Sequence, residues 1–487
     1  MSLKQKTISG IAWTLGQQVG VQGINFFVQI LLARLLVPAD FGLIAMVQVF
    51  MTIGAALMDG GMTSSLIRTK NADNRDYSTV FYMNMMASIL IYGIVFFAAP
   101  LIASFFDQPL LTLLVRVYTL SFVIQALVGV QTTKLTKEMN FKLQMYMQLP
   151  STLIGGIVGV VLAYQNYGVW SLVWMQLIMS FLFMIQHWFW SDWKPTLLFD
   201  KVKLKEHLGF GYKLTLSTLL TTLYSESYTI IIGKFFPMNQ LGFYKQAKTL
   251  SMFPVSNLTK ALQKVTYPVF SELQDDNKKL REVFKKITSM VFFIVTPVML
   301  FLAIEAKPII NLVLTEKWLP AVPFFQILCI SSLFYPLSMY NLNIILAKGR
   351  SDLHFKLEIL KKGLSIIVLV SSIPFGITGI VIASGISMLI HAVVNSIFSG
   401  KLIGYPVIEQ FKQFMPILSI GLVTSIIIKI IMNASENYEF FNKDFIQIGV
   451  SLCLFFILYF ILNKLFKISA LIETRKLIGD FLLKGKN

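Results

Sequence analysis

Long apolar runs recur along the chain, and short polar segments separate them. Each run has about 20 residues, the length that an α-helix needs to cross the hydrocarbon core of a bilayer. This pattern predicts an all-α, polytopic membrane protein with fourteen transmembrane helices. The predicted spans lie near residues 10–34, 41–66, 78–99, 110–130, 146–165, 168–190, 210–234, 246–270, 287–305, 320–347, 357–374, 378–400, 412–432 and 444–464.

Polar residues of the first half recur, in the same order, in the second half. Residues 32–42, LARLLVPADFG, resemble residues 232–242, IGKFFPMNQLG. Several such matches in consistent order favour an internal duplication, which predicts two six-helix bundles of like orientation and two further helices. The predicted boundaries are 1–190 for the N-terminal bundle, 191–209 for a cytoplasmic linker, 210–400 for the second bundle, and 401–487 for the last two helices and a basic cytoplasmic tail.

Composition agrees with a membrane location. Of 487 residues, 55% are hydrophobic and only 14% are charged. A soluble domain carries about 25% charged residues, so the apolar surplus is expected to face lipid. The two cysteines, Cys329 and Cys453, lie in apolar runs, so the sequence offers neither a disulfide framework nor a cysteine metal cluster.

Basic residues are concentrated in alternate loops. Examples are the groups Lys201, Lys203 and Lys205, and Lys278, Lys279 and Arg281. This positive-inside bias predicts that both termini are cytoplasmic. The net charge of +18 therefore indicates topology and contact with anionic lipid headgroups, and we expect no nucleic-acid partner. The N-terminus is expected to be a retained first span and not a cleaved signal peptide.

Four of the predicted spans carry polar stripes. On the first span the stripe is Gln18, Gln22, Asn25 and Gln29. On the seventh span the stripe has the same spacing and consists of Thr218, Thr222, Ser225 and Thr229. The second and eighth spans carry further polar residues. Exposing polar side chains to lipid is energetically unfavourable, so each stripe is expected to face either another helix or a hydrated cavity. For any single residue, the sequence does not decide between these two surroundings.

Charged residues within the predicted spans are stronger candidates for function, since an ionised group in hydrocarbon is costly unless paired or hydrated. Asp59 and Glu226 lie well inside spans two and seven, and Arg116 lies inside span four. Lys260 and Lys264 are one helical turn apart on span eight. Three further basic residues lie near span ends, where their side chains could simply reach the interface: Arg34, Lys234 and Lys248.

No catalytic constellation is recognisable in the sequence. It has no nucleotide-binding Walker motif, and no Ser/His/Asp grouping or pair of carboxylates on a large outer loop. His187 and His391 have no neighbouring residues that would complete a metal set. We therefore expect that the protein is not an enzyme and needs no cofactor.

Three stretches resemble the opening of bacterial polysaccharide-transport proteins. They are residues 8–14, ISGIAWT; residues 33–43, ARLLVPADFGL; and residues 59–62, DGGM, followed by LIR at 66–68. The sequence is similar to Wzx-type oligosaccharide flippases of the multidrug/oligosaccharidyl-lipid/polysaccharide exporter superfamily. Within them it most resembles the colanic-acid and teichuronic-acid exporters. The resemblance implies twelve core spans in two bundles, with two extra C-terminal spans that could hold a lipid tail.

The resemblance also implies a function in the synthesis of O-antigen, capsule or exopolysaccharide. The expected substrate is an undecaprenyl-pyrophosphate-linked repeat unit, carried across the bacterial inner membrane by alternating access. Arg116, Lys260 and Lys264 would attract pyrophosphate or acidic sugars, with Arg34, Lys234 and Lys248 as further cations. Asp59 and Glu226 would couple transport to H⁺ or Na⁺, or pair with those cations. Polysaccharide polymerase or assembly proteins are candidate partners besides the lipid bilayer.

Two alternatives remain. An ion-coupled multidrug antiporter of the same superfamily would favour an acidic cavity, whereas span eight is basic. A membrane-embedded glycan polymerase or ligase would carry a large outer loop with Arg and His, and the sequence has none.

Overall fold

The computed structural model describes residues 3–435, 443–468 and 470–471, with side chains except at 3–12, 15, 261, 264 and 265. The chain forms two compact units, Met1–Gly242 and Phe243–Asn487. The described residues are almost entirely helical and include no strand, so the predicted all-α class is confirmed.

Nine helices and the start of a tenth build the first unit. They are α1 (Leu3–Leu35), α2 (Pro38–Asp59), α3 (Met62–Arg68), α4 (Asn74–Phe105), α5 (Leu111–Tyr118), α6 (Leu120–Lys137), α7 (Phe141–Tyr164), α8 (Trp170–Trp190), α9 (Lys201–Phe235) and the first residues of α10 (Met238–Glu272). Helix α7 packs against α1 and α8, α4 packs against α6, and α9 packs against α2, α3 and α4.

The second unit contains the remainder of α10 and eight further α-helices. They are α11 (Asn277–Ile304), α12 (Ala306–Leu314), α13 (Val322–Ser332), α14 (Tyr335–Ala347), α15 (Ser351–Ser372), α16 (Gly376–Ile403), α17 (Val407–Ser435) and α18 (Asp444–Leu465), with short 3-10 helices at Glu316–Ala321 and Ile373–Phe375. Helix α11 packs against α13, α17 and α18, and α16 packs against α13, α14 and α15.

Each of the fourteen predicted spans coincides with a helix or a pair of consecutive helices. In the described residues, ten stretches are long and apolar enough to cross a membrane, and one of them, Ser351–Ile403, contains both α15 and α16. Helices α1, α9 and α10 are long but are not among the ten, because polar side chains interrupt them. The chain is a multi-pass membrane protein, while the count of fourteen stays a prediction.

The predicted second span, 41–66, is two helices. Gly60 and Gly61 both have positive φ, at +53° and +71°, a region that favours glycine. The chain therefore turns after α2 and starts α3, and a Cβ on Gly61 would lie 2.5 Å from the carbonyl oxygen of Gly211 in α9. The DGGM motif thus provides a turn and a close helix contact.

The duplicated motif makes a reciprocal contact within the first unit. Pro38 begins α2 and Met238 begins α10, and each motif has a glycine at the corresponding position. A Cβ on Gly42 would lie 2.1 Å from the carbonyl oxygen of Met238, and one on Gly242 would lie 1.9 Å from that of Pro38. Because side-chain atoms do not approach carbonyl oxygens so closely, both glycines are required by the packing.

The predicted linker, 191–209, is divided by the start of α9. Residues 191–200 are not helical, and the Asp200 side chain caps α9 by accepting hydrogen bonds from the backbone N–H groups of Val202 at 2.8 Å and Lys203 at 3.3 Å. Because α9 packs against α2, α3 and α4, the compact units divide at 242/243 and not at the linker. The division into two six-helix bundles stays a prediction.

Candidate functional site

The polar stripe of α1 is largely exposed. Gln18, Gln22 and Asn25 have exposed side chains, and Gln29 is half-buried. Helix α1 uses a neighbouring face to pack against α7, where the Gln17 amide donates a hydrogen bond to Gln148.

The polar stripe of α9 also reaches the surface of the first unit. Thr218 and Ser225 are exposed, Thr222 is half-buried and Thr229 is buried. The hydroxyl of Thr229 donates a hydrogen bond to Oε2 of Glu226 at 3.1 Å.

Asp59 lies at the turn between α2 and α3. Its Oδ1 accepts a hydrogen bond from the backbone N–H of Thr63 at 3.3 Å, so it stabilises the start of α3. The side chain is half-buried.

Arg116 satisfies a backbone group that a proline leaves without a partner. Pro100 lies inside α4 and has no N–H, so the carbonyl of Phe96, four residues earlier, lacks its usual helical donor. The Nε–H of Arg116 donates to that carbonyl at 3.2 Å, and the guanidinium carbon lies 4.4 Å from the centre of the Phe96 ring. Arg116 therefore has a structural partner, and its role in attracting substrate stays a prediction.

The other predicted cations occupy different surroundings. Lys234 pairs with Asp107, whose Oδ2 lies 2.9 Å from Nζ, and contacts the Phe105 ring. Lys248 lies 5.5 Å from the centre of the Tyr244 ring. Arg34, in the last turn of α1, and Lys260, on α10, have exposed side chains, and Lys264 lies outside the described side chains.

A buried hydrogen-bonded chain joins α3, α4 and α9, and the sequence did not predict it. Ser65 Oγ lies 2.8 Å from His207 Nδ1, and His207 Nε2 lies 3.2 Å from Asp76 Oδ1. Lys203 Nζ also lies 3.2 Å from Asp76 Oδ1, and this hydrogen bond and charge raise the pKa of Lys203 above its ordinary value. No sequence spacing signals this group, because 131 residues separate Asp76 from His207.

The Ser65–His207–Asp76 chain differs from the triad of a serine hydrolase. In such a triad the serine pairs with Nε2 and the aspartate with Nδ1, whereas here the two nitrogens are exchanged. All three side chains are buried, at 6%, 2% and 1% exposure, so the hydroxyl does not face a substrate site. The geometry supports a structural link between helices.

A further charged group lies within α15, near the start of the predicted span 357–374, and consists of Glu358, Lys361 and Lys362. Nζ of Lys361 lies 2.5 Å from Oε1 of Glu358, and Nζ of Lys362 lies 3.3 Å from Oε2. Lys361 is buried, so its charge is matched within the helix. Among the described residues, no group of three or more His, Cys, Asp or Glu side chains could hold a metal ion.

These features define a class: an all-helical, multi-pass membrane protein whose long helices α1 and α9 expose uncharged polar faces. The same fold occurs in a solved structure of the lipid II flippase MurJ in an inward closed conformation. That structure aligns with a TM-score of 0.73 and 16% identity, covering 94% of this chain and 98% of the flippase.

The chain belongs to the polysaccharide biosynthesis protein family, whose model matches residues 31–323. It is 26% identical over 424 residues to the lipopolysaccharide biosynthesis protein WzxC of Escherichia coli (strain K12), covering 85% of this chain and 84% of that protein. It is 25% identical over 449 residues to the teichuronic acid biosynthesis protein TuaB of Bacillus subtilis (strain 168), covering 91% and 92%. The resemblance to Wzx-type exporters is thereby confirmed.

Proposed function

We propose that this protein is a flippase that carries a lipid-linked oligosaccharide across the bacterial inner membrane. The observation that carries the proposal is the exposure of Gln18, Gln22 and Asn25 along α1, with Thr218 and Ser225 along α9. Exposed amides in a transmembrane helix are costly against lipid, so these faces are expected to border a hydrated route through the membrane.

The chemistry of these faces suits a glycan. Amide and hydroxyl side chains both donate and accept hydrogen bonds, as sugar hydroxyls do. The basic side chain of Lys260, with Lys248 and Lys264 on the same helix, would attract a pyrophosphate linkage. The lipid tail would stay in the bilayer while the polar head crosses. The family and the polysaccharide pathways named for WzxC and TuaB support this substrate class.

The protein would work as a transporter by alternating access, without making or breaking bonds in the glycan, and an ion gradient would drive it. Both termini would lie in the cytoplasm, so the substrate is taken up where it is made and released at the outer face. Polymerase or assembly proteins would then receive it.

Complementation of export tests the proposal. A strain whose chromosomal copy is deleted should lose surface glycan and accumulate the lipid-linked repeat unit, and the wild-type gene should restore export. The variant Gln22→Leu plus Asn25→Leu should fail to restore it at normal protein levels, because the polar face of α1 is lost. As a matched control, Phe27→Leu changes an exposed apolar residue of the same helix and should restore export.

Two outcomes would contradict the proposal. A deletion strain that still displays single repeat units on its surface would indicate a polymerase. Unchanged export in the deletion strain, combined with greater sensitivity to cationic drugs, would indicate a multidrug antiporter.

A further inference from the structure

A fully buried carboxyl group lies at the junction between α11 and α12. Glu305 directly follows α11 and directly precedes α12, and its side chain has no solvent exposure. Its Oε2 accepts a hydrogen bond from the Gln447 amide of α18 at 3.2 Å. Its Oε1 is also buried and has no donor within hydrogen-bond geometry in the part of the chain that the structure describes, although the hydroxyl of Ser451 in α18, which donates to the Ile448 carbonyl, lies close enough to act on the carboxyl group.

Helix α18 runs antiparallel to α11 and α12 and contacts them through polar groups at three levels. The Tyr459 hydroxyl donates to the Phe293 carbonyl at 3.2 Å, Gln447 donates to Glu305, and the Asn311 amide donates to Oδ2 of Asp444 at 2.5 Å. Gln447 lies three residues after Asp444, and Ser451 lies four residues after Gln447, so the three polar side chains share one face of α18. The middle level is the one that leaves a buried carboxyl oxygen without a donor in hydrogen-bond geometry among the described residues.

The charged groups on neighbouring elements do not neutralise Glu305. The cation whose charge acts on it is Lys429 of α17, but that side chain is exposed, and no ion pair joins the two groups in the described part of the chain. Further charged groups close to this junction along the chain are Lys307 of α12, and Glu316 and Lys317 of the 3-10 helix at Glu316–Ala321; Lys443 and Asp444 lie at the start of α18. The remaining charged residues of α11, α17 and α18 lie at least 17 positions along the chain from Glu305, Lys429 and Gln447, respectively, at Lys278, Lys279, Arg281, Glu282, Lys285, Lys286, Glu409, Lys412 and Lys464. An ionised carboxylate that is buried without a cation is far more costly than a neutral carboxylic acid.

We propose that Glu305 is a proton-binding site, occupied in this conformation, whose protonation is coupled to transport. The coupling to transport rests on the proposed function, whereas the bound proton rests on the geometry of the site. The proton adds to the buried carboxylate and gives a neutral carboxylic acid. Its release regenerates the carboxylate, which has to be hydrated or brought close to Lys429. Release therefore requires α18 to move away from the α11–α12 junction, which links proton exchange to a conformational change.

Infrared spectroscopy of the purified full-length protein tests the bound proton. The wild type should show, at neutral pH, the carbonyl band of a protonated carboxylic acid that persists when exposed carboxyl groups are ionised. Glu305→Gln should lack this band and should fold normally, because Gln has the same size and the neutrality of the protonated acid. Asp444→Asn, on the adjacent turn of α18, should keep it. Absence of the band from the wild type, or its persistence in Glu305→Gln, would overturn the proposal.

Glycan export tests the coupling separately. In cells that keep their membrane potential, a proton-selective exchanger that removes the pH gradient should reduce export by the wild type. Export by Glu305→Gln should be unaffected by the exchanger. For this variant, the ratio of the export rate with the exchanger to the rate without it should therefore be one. Equal sensitivity of wild type and variant, or wild-type dependence on a sodium gradient instead, would refute coupling at Glu305. If the wild-type gene supports no export at all, the proposed function fails, while the infrared result still decides the bound proton.

Discussion

Replacing Tyr459 by phenylalanine should destabilise the protein through a backbone group on another helix. Pro297 lies inside α11 and has no N–H, so the carbonyl of Phe293 lacks its helical donor, and the Tyr459 hydroxyl fills that place at 3.2 Å. Both Tyr459 and Phe293 are buried. Removing the hydroxyl leaves a buried carbonyl unsatisfied, which costs about 1–3 kcal/mol. In a Pro297→Ala background, the alanine N–H can restore the helical hydrogen bond, so the same change should cost far less.

The measurement is a double-mutant cycle. The free energy of unfolding is obtained by titrating each purified variant from mild detergent micelles with sodium dodecyl sulfate and following helicity by circular dichroism. The four proteins should give a coupling free energy of about 1–3 kcal/mol between the two sites. Tyr167→Phe serves as the control, because Tyr167 is exposed. An equal cost of Tyr459→Phe in both backgrounds would refute the hydrogen-bond account.

Three further expectations follow from other contacts. Arg116→Ala should lower the free energy of unfolding by about 1–3 kcal/mol, and by less in a Pro100→Ala background that restores the missing N–H; equal losses in the same titration would contradict this. Gly242→Ala should lower the free energy of unfolding by about 1–3 kcal/mol, because the new Cβ would lie 1.9 Å from a carbonyl oxygen and would force apart the starts of α2 and α10. An unchanged melting temperature would exclude this packing. Lys260→Ala plus Lys264→Ala should abolish glycan export at normal protein levels, and wild-type export would remove the case for a cationic face on α10.

Much of the fold could be predicted from periodicity and charge. Apolar runs of membrane-spanning length predicted helices at the observed positions, because a segment in lipid has to satisfy its own backbone hydrogen bonds. The duplication was predicted from several motif matches in consistent order, and the glycines of one matched pair, Gly42 and Gly242, lie close together in the structure. The turn at Gly60 and Gly61 was not predicted as an interruption, since the apolar pattern continues through it.

The candidate site was only partly accessible from sequence. Spacing showed that Gln18, Gln22 and Asn25 share a face of α1, and the structure adds that this face is exposed. Spacing could not show that Arg116 contacts the carbonyl freed by Pro100, because its partner lies on another helix.

Local pattern was enough to predict a multi-pass helical protein and the positions of its polar faces, because helical period and lipid burial act over one or a few turns, while the two-bundle repeat stays a prediction. Which buried polar groups find partners depends on helices far apart in the chain. Asp76 and His207 meet across 131 residues, and Glu305 and Gln447 across 142. Such pairings are set by the packing of whole helices, and for that reason the burial of the Glu305 carboxyl group against α18 is visible only in the tertiary structure.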